Sequence, residues 1–408
     1  MLLFYTTEDI RIRLRDLDQR IELRAHPRAP SLSSTRVYCT TRRISLLIDR
    51  WIDEHGRKGV LHKVTAERAA LAFNLPPYLG GAIPGQRTLP PLTAMLAESR
   101  RAGRTGKYSL GAFNGLGGGI GDTITGLCAL RCARDHVIAA GGPDFTTDLI
   151  VDPDAALRIE PIVRSDPLVR RVMTTPQPIS TLQKYDGVWD FDSLLFDPRF
   201  DDTPLVDYFL DRMGVPPASV DPADKNARLQ LPNPPKKLAA ALAALPGRTL
   251  LFHPTASANV RSIPDAHVPR IVADILRHTD DTVISVSPLN FTHPRVVNLA
   301  PHCDGVLDLC HIVARANRVV TVDTSVCHIA AAFGVPTVAL FTTIAPGLRV
   351  KYYPSVAGIL LDGAERTGYL GAHMEKDGLP PEPVFALWEG FDVLPALSRL
   401  DSLLVARR

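Results

Sequence analysis

Three stretches of this 408-residue chain gather side chains that could do chemistry. The first is Asn114-Gly115-Leu116-Gly117-Gly118-Gly119-Ile120-Gly121-Asp122. The second is His253-Pro254-Thr255-Ala256-Ser257, with Arg261 four residues further on. The third is Asp323-Thr324-Ser325, with His328 one helical turn after Thr324. Each follows a short apolar run, and the first and third precede a segment with helical spacing. The first N–H groups of a helix have no intrahelical partner and attract anions. Glycines at Gly117, Gly118, Gly119 and Gly121 allow close approach of a substrate to the backbone. Their spacing is not GxGxxG, so no dinucleotide fingerprint is read. Asp122 suits a general base, because a helix start favours the ionised carboxylate; a cap for a helix from Thr123 is the competing use. Thr324 and Ser325 offer hydroxyls at an anion site and Arg261 offers a cation. Thr255 and Ser257 serve either as hydroxyl contacts or as turn caps.

The elements that position these residues follow from the pattern around them. Val319 to Val322 has the composition of a buried parallel strand, a helix runs to about Phe333, and Gly334 and Pro336 end it. Thr337 to Phe341 is the next strand. The polar residues therefore crowd at one strand's carboxyl end, where open α/β sheets bind ligands. Tyr108 to Phe113 reads as a strand that runs into the glycine-rich loop, and a helix follows from about Thr123 to Asp135. Further strands are expected at Asp148 to Val151, Gly187 to Phe191, Thr249 to Phe252 and Thr282 to Val286. Helices are expected at Thr41 to His55, Leu92 to Arg101, within Phe196 to Val220, from Lys237 to Leu245, from Asp265 (as cap) to His278 and from Asp308 to Ala316. Strands alternating with helices in both halves predict two doubly wound domains. Ile10 to Leu23 fits a strand or a helix, Leu71 to Leu92 reads as loop, and Pro217 to Lys237 as linker. Phe385 to Ala406 reads as helical pieces broken near Gly390 and Pro395.

Composition narrows the classes. The longest apolar runs fall short of the roughly 20 residues that span a bilayer, and the N-terminus lacks the pattern of a signal peptide. A cytoplasmic protein is expected. Met1 to Lys107 carries 19 Lys and Arg against 10 Asp and Glu, while the remainder of the chain is net acidic. That basic front end suits an anionic partner, including a phosphorylated lipid at the inner membrane face, or equally a solvated face or subunit contact. It lacks the aromatic interleaving of a nucleic-acid module, so no nucleic-acid partner is expected. The six cysteines, Cys39, Cys128, Cys132, Cys303, Cys310 and Cys327, contain no CxxC. Cys128 and Cys132 read as small core residues. His302-Cys303, Cys310-His311 and Cys327-His328 have no standard zinc spacing, and no metal is assigned.

Val322-Asp323-Thr324-Ser325, His328-Ile329-Ala330-Ala331 and Gly334-Val335-Pro336-Thr337-Val338-Ala339-Leu340-Phe341 together resemble the signature of the ADP-heptose:lipopolysaccharide heptosyltransferases, glycosyltransferase family 9. Gly121-Asp122 resembles that family's N-terminal L-G-D. His253 to Ser257 with Arg261-Ser262-Ile263-Pro264 resembles its H-P-[GAT]-[AT]-S and K-x-W-P. The resemblance covers roughly Tyr108 to Pro354 by pattern. It implies a GT-B fold, two Rossmann-like domains facing across a cleft, with an extra N-terminal segment. The expected boundaries are 1–106 for that segment, 107–235 for the acceptor domain, 236–385 for the nucleotide-sugar domain and 386–408 for a closing helical segment. It also implies inverting, metal-independent transfer of a heptose-like sugar to a glycan, glycolipid or protein, with no cofactor beyond the nucleotide-sugar substrate. Asp122 then corresponds to the base. Thr255, Ser257, Arg261, Asp323, Thr324, Ser325 and His328 fall on the donor side, where Asp323 suits sugar hydroxyls and His328 the diphosphate, or a satisfied buried position. Ser325 stands where the family has Gly, Arg261 where it has Lys, and Ile263 where it has Trp. Thr342-Thr343-Ile344-Ala345-Pro346 lacks the family's acid. These departures point to an altered donor or acceptor. The reading from a different class is a non-catalytic nucleotide-sugar or anion-binding protein on the same fold.

Overall fold

The structure is a computed structural model that describes residues 2–14, 19–26, 33–65, 72–73, 78–79, 91–103, 106–192, 194 and 197–405. Most of the loop expected at Leu71 to Leu92, together with Arg15, Phe196 and Ala406, lies outside the described residues. The chain divides into two compact units, Met1–Phe200 with Asp207–Val220, and Asp201–Val206 with Asp221–Arg408.

In the first unit, β1 (Leu2–Thr6), β2 (Ile10–Leu14), β3 (Gln19–Leu23), β4 (Tyr38–Thr40), α1 (Arg42–Glu54) and β5 (Leu61–Val64) come first. The segment Ile10 to Leu23 resolves as an antiparallel hairpin, β2 on β3. Its inward residues Ile10, Ile12, Ile21 and Leu23 share a core with Ile44, Ile48 and Ile52 of α1, the period-2 and 3.6 patterns meeting on one surface. Thr41 caps α1, its hydroxyl accepting from the Ile44 N–H. The unit continues with β6 (Tyr78–Leu79), α2 (Pro91–Ala102), β7 (Tyr108–Phe113), α3 (Ile120–Ala139), β8 (Phe145–Val151), α4 (Pro153–Val163), β9 (Val169–Thr174), β10 (Gln177–Pro178), α5 (Ile179–Leu182) and β11 (Gly187–Asp190); α6 (Arg199–Asp202) and α7 (Leu205–Arg212) straddle the division, with Asp201–Val206 belonging to the second unit. A parallel sheet of order β6-β11-β7-β8-β9 results, beside a four-stranded antiparallel sheet of order β10-β4-β1-β5. The strand β10 thus pairs the N-terminal segment with residues that lie between the parallel-sheet strands β9 and β11 in the chain. Leu3, Val37, Cys39 and Val64 share one buried cluster with Phe113, Ile150 and Val188 of that sheet.

The second unit contains α8 (Lys236–Ala243), β12 (Thr249–His253), α9 (Val268–His278), β13 (Thr282–Ser285), β14 (Val296–Asn298), α10 (Val306–Arg315), β15 (Arg318–Val322), α11 (Ser325–Ala332), β16 (Thr337–Phe341), β17 (Val356–Leu360), α12 (Glu382–Phe385) and α13 (Leu394–Val405). Its six strands are all parallel, in the order β14-β13-β12-β15-β16-β17. Leu250, Phe252, Val320, Val322, Val338 and Leu340 pack on α9 and α13, while Leu251, Val319, Thr321 and Ala339 are buried on the opposite face. Strands covered on both faces read as continuous apolar runs, which is why this half was legible in the sequence.

Two expected helix starts need correction. The α9 helix begins at Val268 with His267 at the cap position, not at Asp265; a turn from His267 N–H to Pro264 O intervenes, and Pro269 sets the first turn. The α3 helix begins at Ile120, not Thr123, with extended Gly119 at its cap position. Pro395 lies in the first turn of α13 and does not break it.

Candidate active site

In the first unit the β7 strand ends at Phe113 and the chain turns through Asn114, Gly115, Gly117 and Gly118, all at positive φ. A type of backbone that L side chains rarely adopt explains the glycines at the last three. Asp122 is the third residue of α3, so it does not stand at the cap position. A methyl group on Gly119 would lie 2.6 Å from Asp122 Oδ2, and one on Gly117 would lie 2.7 Å from Asp122 Cβ. The two glycines therefore make room for one carboxylate held over the loop at a half-buried position. Gly121 is the residue before it, and its carbonyl accepts from the Thr125 hydroxyl. Gly118 faces Asn114 and Ala155. Next along the same sheet edge, Asp152 is buried and accepts from Thr41 Oγ1 at 2.6 Å and Thr175 Oγ1 at 3.1 Å. Burial pushes its carboxyl up, against the pull of those hydroxyls and of Arg43.

In the second unit the carboxyl ends of β12, β15 and β16 meet, since His253 pairs with Thr321 and Val322 with Leu340. Arg261 lies in a short turn after β12. Its Nη2 donates to Ser257 Oγ at 2.7 Å, and its Nη1 donates to the Asp323 carbonyl at 3.2 Å and carboxylate at 3.4 Å. Arg261, Ser257 and Asp323 are thus brought together at the start of α11. Thr324 stands at the cap position of α11, yet its side chain makes no capping hydrogen bond. Thr324 and Ser325 are half-buried and Thr255 is exposed; no hydrogen bond ties Thr255 to Arg261.

The turn that carries Arg261 is fixed from two sides. Thr342 Oγ1 donates to Val260 O at 2.6 Å, and Glu375 Oε1 accepts from the N–H groups of Asn259 at 2.7 Å and Val260 at 3.4 Å. Thr342 belongs to the stretch that lacks the expected acid. Ile263, in the position of the expected Trp, is a core residue beneath the same turn.

His328 is buried, and its Nδ1 lies 2.9 Å from the Tyr353 hydroxyl. Burial lowers its pKa to about 4, with the Asp323 charge opposing and Arg349 reinforcing that shift. Its burial and the Tyr353 contact fit the satisfied position, one of the two uses open in the sequence. His253 is likewise driven down to about 4 by burial. Cys128 and Cys132 are core residues. Among the described residues no group of three or more His, Cys, Asp and Glu side chains could hold a metal ion.

Sequence reasoning missed Arg349, His373 and Glu375. Arg349 is buried, and its Nη2 donates to His373 Nδ1 at 3.3 Å. His373 Nε2 donates to Asp201 Oδ1 at 2.8 Å. No spacing rule links positions so far apart in the chain; only the turn after β16 and the loop at 371–375 bring them together.

Residues 222–367 match the model of glycosyltransferase family 9 (heptosyltransferase). This segment contains Thr255, Ser257, Arg261, Asp323, Thr324, Ser325, His328 and Arg349. No curated protein matches the chain. Among solved structures it is similar to a glycosyl transferase family 9 protein from Veillonella parvula DSM 2008, with 14% identity, a TM-score of 0.50, and coverage of 73% of this chain and 97% of that one. It is also similar to the E. coli ADP-heptose lps heptosyltransferase II, with 15% identity, a TM-score of 0.49, and coverage of 74% and 99%. The likeness to the Veillonella protein is one of fold: α/β, with the parallel sheets of the GT-B class. Among the described residues, no helix is long and apolar enough to cross a membrane.

Proposed function

We propose that this glycosyltransferase family 9, heptosyltransferase-like chain is an inverting glycosyltransferase that moves a heptose-like sugar from a nucleotide-sugar to a glycan, glycolipid or protein. The observation that carries the reading is the Arg261 guanidinium, held between Ser257 and Asp323 at the start of α11, inside the segment that matches the family. A cation beside free helix N–H groups is suited to a departing diphosphate.

In this reading the Asp122 carboxylate takes the proton of the acceptor hydroxyl as that oxygen bonds to the anomeric carbon. The bond from that carbon to the diphosphate oxygen breaks on the opposite face, which inverts the configuration. Arg261 and the α11 N–H groups, with the hydroxyls of Thr324, Ser325, Ser257 and Thr255, receive the charge that develops on the leaving oxygen. Asp323 holds Arg261 and faces donor sugar hydroxyls; His328 stays neutral and supports the helix through Tyr353. The leaving charge is met by side chains and backbone, so the proposal includes no metal and no cofactor.

The acceptor is assigned by charge alone. The basic N-terminal segment suits an anionic glycolipid at the inner membrane face, although Arg43 is already paired with Asp154 at 2.6 Å. The test is to incubate the protein with a panel of nucleotide-sugars and with glycolipid, glycan and protein acceptors, and to follow nucleoside diphosphate release with and without EDTA. Acceptor-dependent release that EDTA leaves intact supports the proposal. Thermal stabilisation by a nucleotide-sugar without any release would favour the non-catalytic binding protein.

A further inference from the structure

Ser257 and Asp323 hold the guanidinium of Arg261, but its aim also depends on the turn from which the side chain leaves. That turn, Asn259–Arg261, is short. Around it the Arg261 N–H donates to Ala258 O at 3.2 Å and the Ser262 N–H donates to Asn259 O at 2.9 Å. These bonds leave out the N–H groups of Asn259 and Val260, the two that open the turn. Glu375 Oε1 accepts from both, at 2.7 and 3.4 Å. On the other side Thr342 Oγ1 donates to Val260 O at 2.6 Å. The peptide groups before and after Val260, the residue next to Arg261, are thus tied to two distant segments.

The loop at 368–379 that brings Glu375 is docked on this turn. Tyr369 and Ala372 share one buried cluster with Ala258 and Val260. The Tyr369 hydroxyl donates to Leu379 O at 2.6 Å and Lys376 Nζ donates to Gly368 O at 3.1 Å, which closes the loop on itself. The Gly371 N–H donates to Thr343 O at 2.6 Å, beside Thr342. Glu375 itself is exposed. Its own N–H, with those of Asn259 and Val260 and the Arg261 charge, outweighs desolvation and holds its carboxyl below the usual glutamate range. Among the described residues, its side-chain bonds go to the backbone of the turn and none goes to the Arg261 guanidinium.

The loop follows the segment that matches the family, which ends at residue 367. The turn it holds carries an arginine where the family pattern has lysine. An ammonium on a flexible stem can meet an anion from many directions, whereas a planar guanidinium fork has to be aimed. We propose that Glu375 is the positioning residue for Arg261, and that through it the loop at 368–379 sets the affinity of the site for a diphosphate. The inference rests on the glycosyltransferase reading for the identity of that diphosphate as the donor's. Two effects of Glu375 differ in sign. A carboxylate near a cation weakens anion binding by its charge, so removing the charge alone should tighten binding. Removing the acceptor that fixes the turn should weaken it.

The experiment measures inorganic pyrophosphate and ADP affinity by calorimetry for the full chain, for Glu375→Ala and Glu375→Gln, and for Glu375→Ala combined with Arg261→Lys or Arg261→Ala. The thermal midpoint checks folding. Glu375→Ala should weaken pyrophosphate about three- to tenfold. Glu375→Gln, whose amide oxygen still accepts from the turn, should bind at least as tightly as the parent. Combined with Arg261→Ala, Glu375→Ala should produce no further loss, and combined with Arg261→Lys a smaller one, because the two residues act as a unit. A Glu375→Ala protein that binds pyrophosphate as tightly as the parent, or more tightly, overturns the inference. If that variant does not fold, parental binding by Glu375→Asp, whose stem is one methylene shorter, does so. A Glu375→Gln loss equal to that of Glu375→Ala, or an undiminished loss in the Arg261→Ala background, overturns the positioning role. Sugar transfer is scored separately. Weakened pyrophosphate binding by Glu375→Ala with no transfer by the parent upholds the inference and sinks the transferase reading, and transfer by the parent with unchanged Glu375→Ala binding does the reverse.

Discussion

The guanidinium of Arg261 lies against Asp323, donating to its carbonyl at 3.2 Å and to its carboxylate at 3.4 Å. The acid sits at the end of β15 and the base in the turn after β12, so the pair also pins two neighbouring strand ends together. Both side chains are largely withdrawn from solvent. Arg261→Ala should remove the cation from the anion site and leave the Asp323 carboxylate short of a partner. A charge-assisted hydrogen bond contributes ~1.5–3 kcal/mol. Nucleoside diphosphate affinity should therefore fall about ten- to a hundredfold. Arg261→Lys should lose less, because it keeps the charge and sacrifices only the fork. Calorimetry with ADP, UDP and GDP reads both; equal affinity in the parent and Arg261→Ala would remove Arg261 from the site.

Asp122 and Gly119 offer a cleaner separation of chemistry from folding. Asp122→Asn keeps the shape of the side chain and removes its basicity, so transfer should fall by about 10²–10⁴ with donor binding retained. Gly119 has ordinary extended backbone, and a methyl group there would meet Asp122 Oδ2 at 2.6 Å. Gly119→Ala should thus displace the carboxylate without straining the loop, and should mimic Asp122→Asn in rate while the thermal midpoint changes little. Gly117→Ala differs, because φ is +98° there, and it should lose stability as well. Full transfer by Gly119→Ala would show that the placement of the Asp122 carboxylate is not what the reaction needs.

Much of this was legible because parallel strands buried on both faces announce themselves. Val319 to Val322, Thr337 to Phe341 and Thr249 to Phe252 are apolar runs bounded by polar residues, and the structure has strands at each. Helix starts were less visible. Asp265 has the right side chain for a cap, but Pro264 and the turn behind it shift the helix to Val268. At α3 the glycine at 119 takes the cap position with no side chain to signal it. Ile10 to Leu23 carried both periods, and only pairing with a partner strand decides between them. Arg349 and His373 were invisible for a different reason: neither belongs to a spaced motif, and their meeting depends on a loop whose path no local pattern sets.

Acid stability should report the buried histidines. His253 and His328 have pKa values pushed down to about 4 by burial, from an ordinary 6.5. Below pH 6.5 the unfolded chain takes up protons that the native state refuses, so stability falls as the pH falls, down to about pH 4 where the native groups begin to titrate. Asp148, buried among Arg170, Arg171 and Tyr185, behaves differently. Burial raises its pKa, but the hydrogen bonds outweigh that and hold it below the ordinary value. Its contribution is lost only as the pH falls through that lower range. Urea midpoints measured from pH 7 to 4 should decline, and the double variant His253→Asn, His328→Gln should flatten the decline. An unchanged slope in that variant would mean the two rings are not held neutral.

The N-terminal segment should prove inseparable from the first unit. Thr41 does two things: its hydroxyl donates to Asp152 at 2.6 Å and accepts from the Ile44 N–H at 3.3 Å. Thr41→Val leaves a buried carboxylate short of a donor, at ~1–3 kcal/mol, and removes the α1 cap, at ~1 kcal/mol. A loss of ~2–4 kcal/mol is therefore expected, while Thr41→Ser should lose far less. Removing residues 1–106 is a harsher change. It would take Leu3, Val37, Cys39 and Val64 from a cluster whose other members include Phe113, Ile150, Ile179 and Val188. It would also leave β10 without its partner β4 and expose an apolar patch on the remaining sheet. The shortened chain should be recovered as aggregate, or should unfold without a cooperative transition. A soluble 107–408 fragment with a cooperative melt and the parent's affinity for nucleoside diphosphate would show instead that the segment is an appended module, and that the pairing of Thr41 with Asp152 is dispensable.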